Sequence, residues 1–171
     1  HSDTETLIEC IAAWGLEATL AKCVGMFALG LWDRKERRLS LVRDRFGEKP
    51  LYYGWVDGNF VFASELQALR VVPGFENPVN RRALGLFTRL GYVPAPLTIF
   101  ERIYKLEPGC VLTASANALR TPLSVPPVLG TGMVRRYWSY REVVEAGAES
   151  SFSDEREALD RLEQALLNSG A

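Results

Sequence analysis

The stretch at residues 25–69, GMFALGLWDRKERRLSLVRDRFGEKPLYYGWVDGNFVFASELQAL, constrains this chain most, because short apolar runs and charged turns alternate through it without a gap. Residues 26–32, 39–42, 51–55 and 60–63 have strand length and are rich in aromatic and β-branched side chains, so the stretch reads as a β-meander feeding a helix. Residues 33–38 make a solvated turn. Residues 56–59 make a tight one, since Asp57-Gly58 readily supplies the positive φ of a hairpin. The third break is different: residues 43–50 place Arg43, Asp44, Arg45, Glu48 and Lys49 around Gly47 and end in Pro50, which fits a shaped loop better than a simple reversal. In the first run Phe27, Leu29 and Leu31 alternate with Met26, Ala28, Gly30 and Trp32. Both faces are apolar, so the strand is expected to be covered on both sides, as in a layered sandwich of sheets and helices. Trp32, Tyr52, Tyr53 and Trp55 are expected in the core.

Before that stretch, Ser2 and Glu5 have capping-box spacing, Leu7, Ile8, Ile11 and Ala12 share one helical face, and Gly15 stops the helix. A second short helix follows with Leu16, Leu20 and Val24 in phase. Cys10, beside the apolar stripe, reads as a small buried hydrophobe. After residue 63, Ser64 is placed to cap a helix carrying Leu66 and Leu69, and Asn80 another that runs through Ala83, Leu84 and Phe87 to Gly91. Residues 92–96 (YVPAP) are stiff and extended because each Pro fixes its own φ and biases its predecessor. A turn at Glu107-Pro108-Gly109 leads into a strand at 110–113, residues 123–132 break the periodicity, and residues 134–138 form a strand. A polar stretch then precedes a helix begun by Ser151 or Ser153, with Leu159, Leu162 and Leu166 on one face.

Several function classes drop out. Net charge is −1, so no field draws the chain to nucleic acid or an anionic membrane. No apolar run approaches the ~18 residues of a membrane span. Cys10, Cys23 and Cys110 are odd in number and unrelated in spacing, which argues against a disulfide framework and for a reducing compartment, hence the cytoplasm. The one His is His1, which leaves no internal Ser-His or Cys-His pair and no His/Cys metal cluster. No G-x-x-x-x-G-K-[ST] pattern cradles a phosphate. Without an initiator Met or a signal peptide, the chain is expected to be an internal piece of a longer protein. From the residues alone, Asp3 is a helix cap and residues 43–49 a salt-bridged loop, with a place at a channel or domain interface as the functional alternative for the loop.

The runs GMFALGLWD, RDRFGEKPLYYG and FASELQAL, in that order, resemble the glutamine amidotransferase domain of glutamine-hydrolysing asparagine synthetases. Upstream, Ser2-Asp3-Thr4-Glu5 is similar to that family's S-D-x-E segment; downstream, GYVPAPLTIFERIYKLEPG and Arg136-Tyr137-Trp138 resemble the synthetase-specific end of the domain. The resemblance implies an α+β fold, an αββα N-terminal-nucleophile sandwich incomplete at its N-terminus. It implies a glutaminase part at residues 1–124, an insertion or linker with one short strand at 125–150, and the first helix of an ATP-pyrophosphatase synthetase domain at 151–171. The implied activity is hydrolysis of glutamine to glutamate and ammonia, with ammonia passed to a synthetase domain that amidates aspartate. Alternatives are a paralogue amidating another carboxylate, such as a uronic acid in a surface polysaccharide, and a non-catalytic docking module.

The implied nucleophile is an N-terminal Cys with its own α-amino group as base, which this chain does not contain; the fragment alone is therefore expected to be inactive. Asp3 matches the carboxylate that holds the α-ammonium of glutamine. No residue here is implied in ATP or metal binding, and the fragment needs no cofactor, whereas the full-length enzyme would use ATP and Mg2+. The implied partners are glutamine, the protein's own synthetase domain and a second copy in a homodimer.

Overall fold

A computed structural model describes residues 2–127, 129–130, 132–149 and 152–169. They fall into two compact units, His1–Trp138 and Ser139–Ala171; residues 1, 128, 131, 150–151 and 170–171 lie outside the described residues, and with them the start at Ser151 expected as one choice for the last helix.

The first unit begins with α1 (Asp3–Lys22), capped by Ser2, whose hydroxyl accepts the Glu5 N–H at 3.2 Å. Gly15 breaks it with φ 81 and ψ 164, a conformation far from helical and one that glycine adopts without the Cβ clash other residues would meet. Thr19 restarts the helix by donating its hydroxyl to the Gly15 carbonyl at 2.8 Å. The two-helix reading from Gly15 therefore holds.

The expected meander does not form a single sheet. Strands β1 (Ala28–Asp33) and β2 (Arg38–Arg43) pair antiparallel in a four-stranded sheet of order β1-β2-β6-β7, completed by β6 (Cys110–Ser115) and β7 (Val134–Arg136). Strands β3 (Tyr52–Val56) and β4 (Asn59–Ala63) belong to a second, three-stranded antiparallel sheet of order β4-β3-β5, with β5 (Ile103–Lys105). The charged loop between β2 and β3 carries the chain from one sheet to the other, which is why it is longer than a reversal. The hairpin turn between β3 and β4 has positive φ at both Asp57 (46°) and Gly58 (74°), as its sequence requires.

One core lies between the sheets. Leu39, Leu41, Cys110, Leu112, Ala114 and Val134 come from the first and Tyr53, Trp55 and Tyr104 from the second. Alternation sends Val42 and Val111 to the other face of the first sheet, under Leu16 and Leu20 of α1. Val56 and Ile103 on the other face of the second sheet meet Leu66 and Leu69 of α2 (Leu66–Arg70). The buried aromatic polar ends find acceptors: Trp55 Nε1 donates to the Leu119 carbonyl at 2.9 Å, and the Tyr104 hydroxyl to Leu123 at 3.0 Å.

Several expectations shift. Trp32 is 45% exposed, because β1 is the edge of its sheet and Trp32 lies near its end. Ile8 is also largely exposed and Cys10 only half-buried; the α1 residues packed against Val42 and Val111 of the first sheet are Leu16 and Leu20 of its second half. The residue preceding α2 is Glu65 rather than Ser64, with no side-chain cap bond. Asn80 caps α3 (Arg81–Leu90) as expected, accepting from Ala83 N–H at 3.1 Å, and Gly91 ends it with φ 78. β5 carried no sequence signal, being three residues long and entered through Arg102 at φ 60.

The second unit holds two helices. The polar stretch is α4 (Tyr140–Glu149). In α5 (Glu155–Ser169) the cap bond comes from Asp154, whose carboxylate accepts the Glu157 N–H at 2.9 Å, while Ser153 donates its hydroxyl to Glu157 at 2.7 Å. Leu159, Leu162 and Leu166 are each more than half exposed. Among the described residues no helix is long and apolar enough to cross a membrane, and Cys10, Cys23 and Cys110 are free thiols.

Candidate functional site

Asp3 occupies the first residue of α1, one place inside the cap. Ser2, not Asp3, makes the cap bond to N3, so the carboxylate is left for other work. Its Oδ1 accepts the Thr4 N–H at 2.8 Å; among the described residues no hydrogen bond reaches its Oδ2. The side chain is exposed. It borders a hollow of 310 Å³ between the two halves of α1, with Leu7 and Cys10 on its own side and Thr19, Lys22 and Cys23 opposite. The break at Gly15 produces this hollow by folding one half-helix back toward the other. The Lys22 ammonium sits 5.4 Å from the centre of the Trp14 ring, a cation–π distance. Burial pushes the Cys23 thiol up, the Arg45 guanidinium opposes that shift, and Cys10 adds to it. Cys110, in the core between the sheets, is pushed up to about 11, chiefly by burial. Neither thiol is tuned toward the thiolate a nucleophile needs.

The loop at residues 43–49 is a second constellation. Arg43 is 7% exposed and spends its guanidinium on carbonyls: Nε to Lys49 at 2.9 Å, Nη1 to Leu106 at 2.7 Å, and Nη2 to Gly47. Asp44 is 1% exposed; its Oδ1 accepts from Phe46 and Glu48 N–H at 3.1 and 3.0 Å and its Oδ2 from Lys49 at 2.9 Å. Burial alone would raise the Asp44 carboxyl, but backbone donors led by Lys49 and Glu48 outweigh it and hold the group below the usual carboxylate range. Burial lowers Arg43, with the Asp44 charge opposing. The expectation of a salt-bridged loop is thus corrected: among the described residues no ion pair joins residues 43–49, and the loop is built from side chains satisfying main chain. Backbone groups do not titrate or move away, so such bonds fix a loop more firmly than exposed ion pairs would. Glu48 and Lys49 point outward and are exposed.

The loop also reaches the rest of the first unit. The Asp44 carbonyl accepts Gly109 N–H at 2.8 Å, the Tyr137 hydroxyl donates to the Arg43 carbonyl at 3.0 Å, and the Phe46 and Trp138 rings meet edge-on at 4.9 Å. Burial pushes the Tyr137 phenol up to about 12, so it remains a donor. Arg45 donates to the carbonyls of Cys23 and Ala21 at the end of α1, the latter at 3.0 Å. The motif was visible in the sequence, but these partners were not, because a backbone carbonyl twenty-odd positions away leaves no residue signature.

Among the described residues no three His, Cys, Asp or Glu side chains gather as metal ligands, and no Gly-rich turn joins a strand to a helix.

Residues 1–123 match the family model described as a glutamine amidotransferase domain. A Mycobacterium tuberculosis protein provisionally named a glutamine-hydrolysing asparagine synthetase is 38% identical over 120 residues, 68% of this chain and 18% of its own length. Bacillus subtilis asparagine synthetases (glutamine-hydrolysing) 1 and 3 are 36% and 35% identical over 112 and 119 residues. Those alignments cover 66% and 69% of this chain, which spans 17% and 19% of the relatives' lengths.

Proposed function

The chain belongs to the glutamine amidotransferase domain family, and from that premise we propose that it is the glutaminase part of a glutamine-dependent asparagine synthetase. The observation that carries this reading is the alignment of two thirds of the chain with proteins named for glutamine-hydrolysing asparagine synthesis. In this reading glutamine gives glutamate and ammonia, and the ammonia amidates aspartate at an ATP-dependent synthetase domain of the intact protein. Residues 151–171 begin that domain, residues 125–150 lead to it, and the intact protein assembles as a homodimer in the cytoplasm.

Asp3 is the residue of this chain assigned to substrate. Its exposed Oδ2 accepts from the α-ammonium of glutamine while Thr4 N–H holds Oδ1 and fixes the carboxylate's rotation. The nucleophile is a Cys at the mature N-terminus, outside this chain; its α-amino group takes the thiol proton, the thiolate attacks the amide carbon, ammonia leaves, and water hydrolyses the resulting thioester to glutamate. The stacking of α1's second half, one sheet, the other sheet and α2 supports an N-terminal-nucleophile sandwich, lacking its first strands here.

The test is to purify the full-length protein and follow asparagine formation from aspartate and ATP, with glutamine or with ammonia as nitrogen source. Both sources should work. Ammonia-dependent amidation of a different carboxylate would move the reading to a paralogue, and binding without any glutamine hydrolysis would make this a docking module.

A further inference from the structure

The last turn of α1 ends at Cys23 in extended backbone, so its final carbonyls have no following helical N–H to accept from. Arg45 supplies the missing donors: Nη1 to Cys23 and Nη2 to Ala21, with its charge at the negative end of the helix, where a cation is favoured. One residue earlier, Asp44 N–H donates to the Phe27 carbonyl at 2.9 Å. The segment from α1 to β1 is therefore tied to the loop at both of its ends. The loop can bear that load because the Asp44 carboxylate gathers three of its N–H groups and Arg43 three carbonyls. Cys23, which Arg45 holds, stands in the wall of the hollow opposite Asp3.

The geometry points to Arg45 as a positioning residue for glutamine. By holding the last turn of α1 it sets the distance across the hollow that Asp3 faces, and so the fit of the amino acid's α-ammonium end. Arg45 does not border that hollow and touches no substrate. The inference rests on the glutaminase reading above. Leu20 and Thr19 are 0% and 2% exposed, so α1 stays docked on its sheet when Arg45 is changed and only its last turn is released.

The experiment is steady-state glutaminase kinetics on the full-length protein carrying Arg45→Gln, Arg45→Lys, or Arg45→Gln combined with Asp3→Asn. Arg45→Gln should raise the KM for glutamine roughly tenfold, on the scale of one lost hydrogen bond to a charged group, with kcat little changed. Arg45→Lys keeps the charge but not the two-pronged donor and should fall between wild type and Arg45→Gln. The double variant should be scarcely worse than Asp3→Asn alone, because both changes act on one contact. A fall in kcat with KM unmoved would show a merely structural arginine and overturn the inference, as would additive losses in the double variant. A wild-type protein that releases no ammonia from glutamine would overturn the functional reading itself, whereas a working wild type with an indifferent Arg45 would overturn only this step.

Discussion

At the scale of single residues, Asp3 and Asp44 are opposite uses of a carboxylate. Asp3 is exposed and Asp44 buried, so changing the first should alter recognition and changing the second stability. Leaving a charged substrate group unpaired costs about 2 to 5 kcal/mol, and each ~1.4 kcal/mol is tenfold. Asp3→Asn should therefore weaken glutamine use by one to three orders of magnitude, roughly, while ammonia-dependent synthesis is unchanged. The cap bond belongs to Ser2, so the substitution leaves the start of α1 intact; equal losses with both nitrogen sources would refute the role. For Asp44 the folded pKa lies below the unfolded one. Its contribution is then fully present above the unfolded value, ~3.9, and disappears as pH falls through the folded value. Asp44→Asn should lower stability at pH 7 by about 1 to 3 kcal/mol, and the gap to wild type should close on acidification below about pH 4. Denaturant melts at a series of pH values check this, and a gap independent of pH would contradict it.

At the scale of elements, two glycines separate what a strand tolerates from what it does not. A Cβ on Gly54 would lie 2.0 Å from the Arg102 carbonyl oxygen, which is backbone and is already engaged by Trp55 N–H at 3.1 Å. β5 would have to move off β3. A Cβ on Gly30 would meet the Phe62 ring at 2.9 Å, but Phe62 is 45% exposed on an edge strand and can turn away. Gly54→Ala should therefore cost at least the ~3 kcal/mol upper end of overpacking and Gly30→Ala about 1 kcal/mol. Equal melting shifts for the two would mean that β5 is not held as closely as this contact requires. The loop between β2 and β3 teaches the same lesson from the other side, since its charges were legible and its bonding was not. Charge pattern suggested ion pairs, whereas burial favours partners that leave no donor or acceptor unsatisfied, and the main chain supplies them in number.

At the scale of the whole chain, apolar surface remains uncovered. Met26, just before the edge strand β1, and Trp32, within it, are 60% and 45% exposed, with Phe62 at 45% across from Gly30 and Phe87 at 49% on α3. An edge strand with free N–H and C=O groups beside such residues is a template for another strand. The 171-residue chain alone should self-associate or dissolve poorly, and should release no ammonia from glutamine. Light scattering and a glutaminase assay on this chain decide both; a monodisperse monomer with a sharp melt, or ammonia release abolished by mutating Cys10, Cys23 or Cys110, would refute them.

The sequence by itself determined the local grammar: where α1 breaks at Gly15, the hairpin at Asp57-Gly58, the Asn80 cap, the strands other than β5, and the family to which residues 1–123 belong. These follow from forces acting within a few residues, namely positive φ, capping and alternation. Only the tertiary structure decided that four successive strands divide between two sheets, that Trp32 is an edge residue, and that Arg45 closes the end of α1. Those outcomes depend on which apolar faces meet and which carbonyls lack donors after they meet. Such pairings are made across tens of residues and leave no periodicity in the chain.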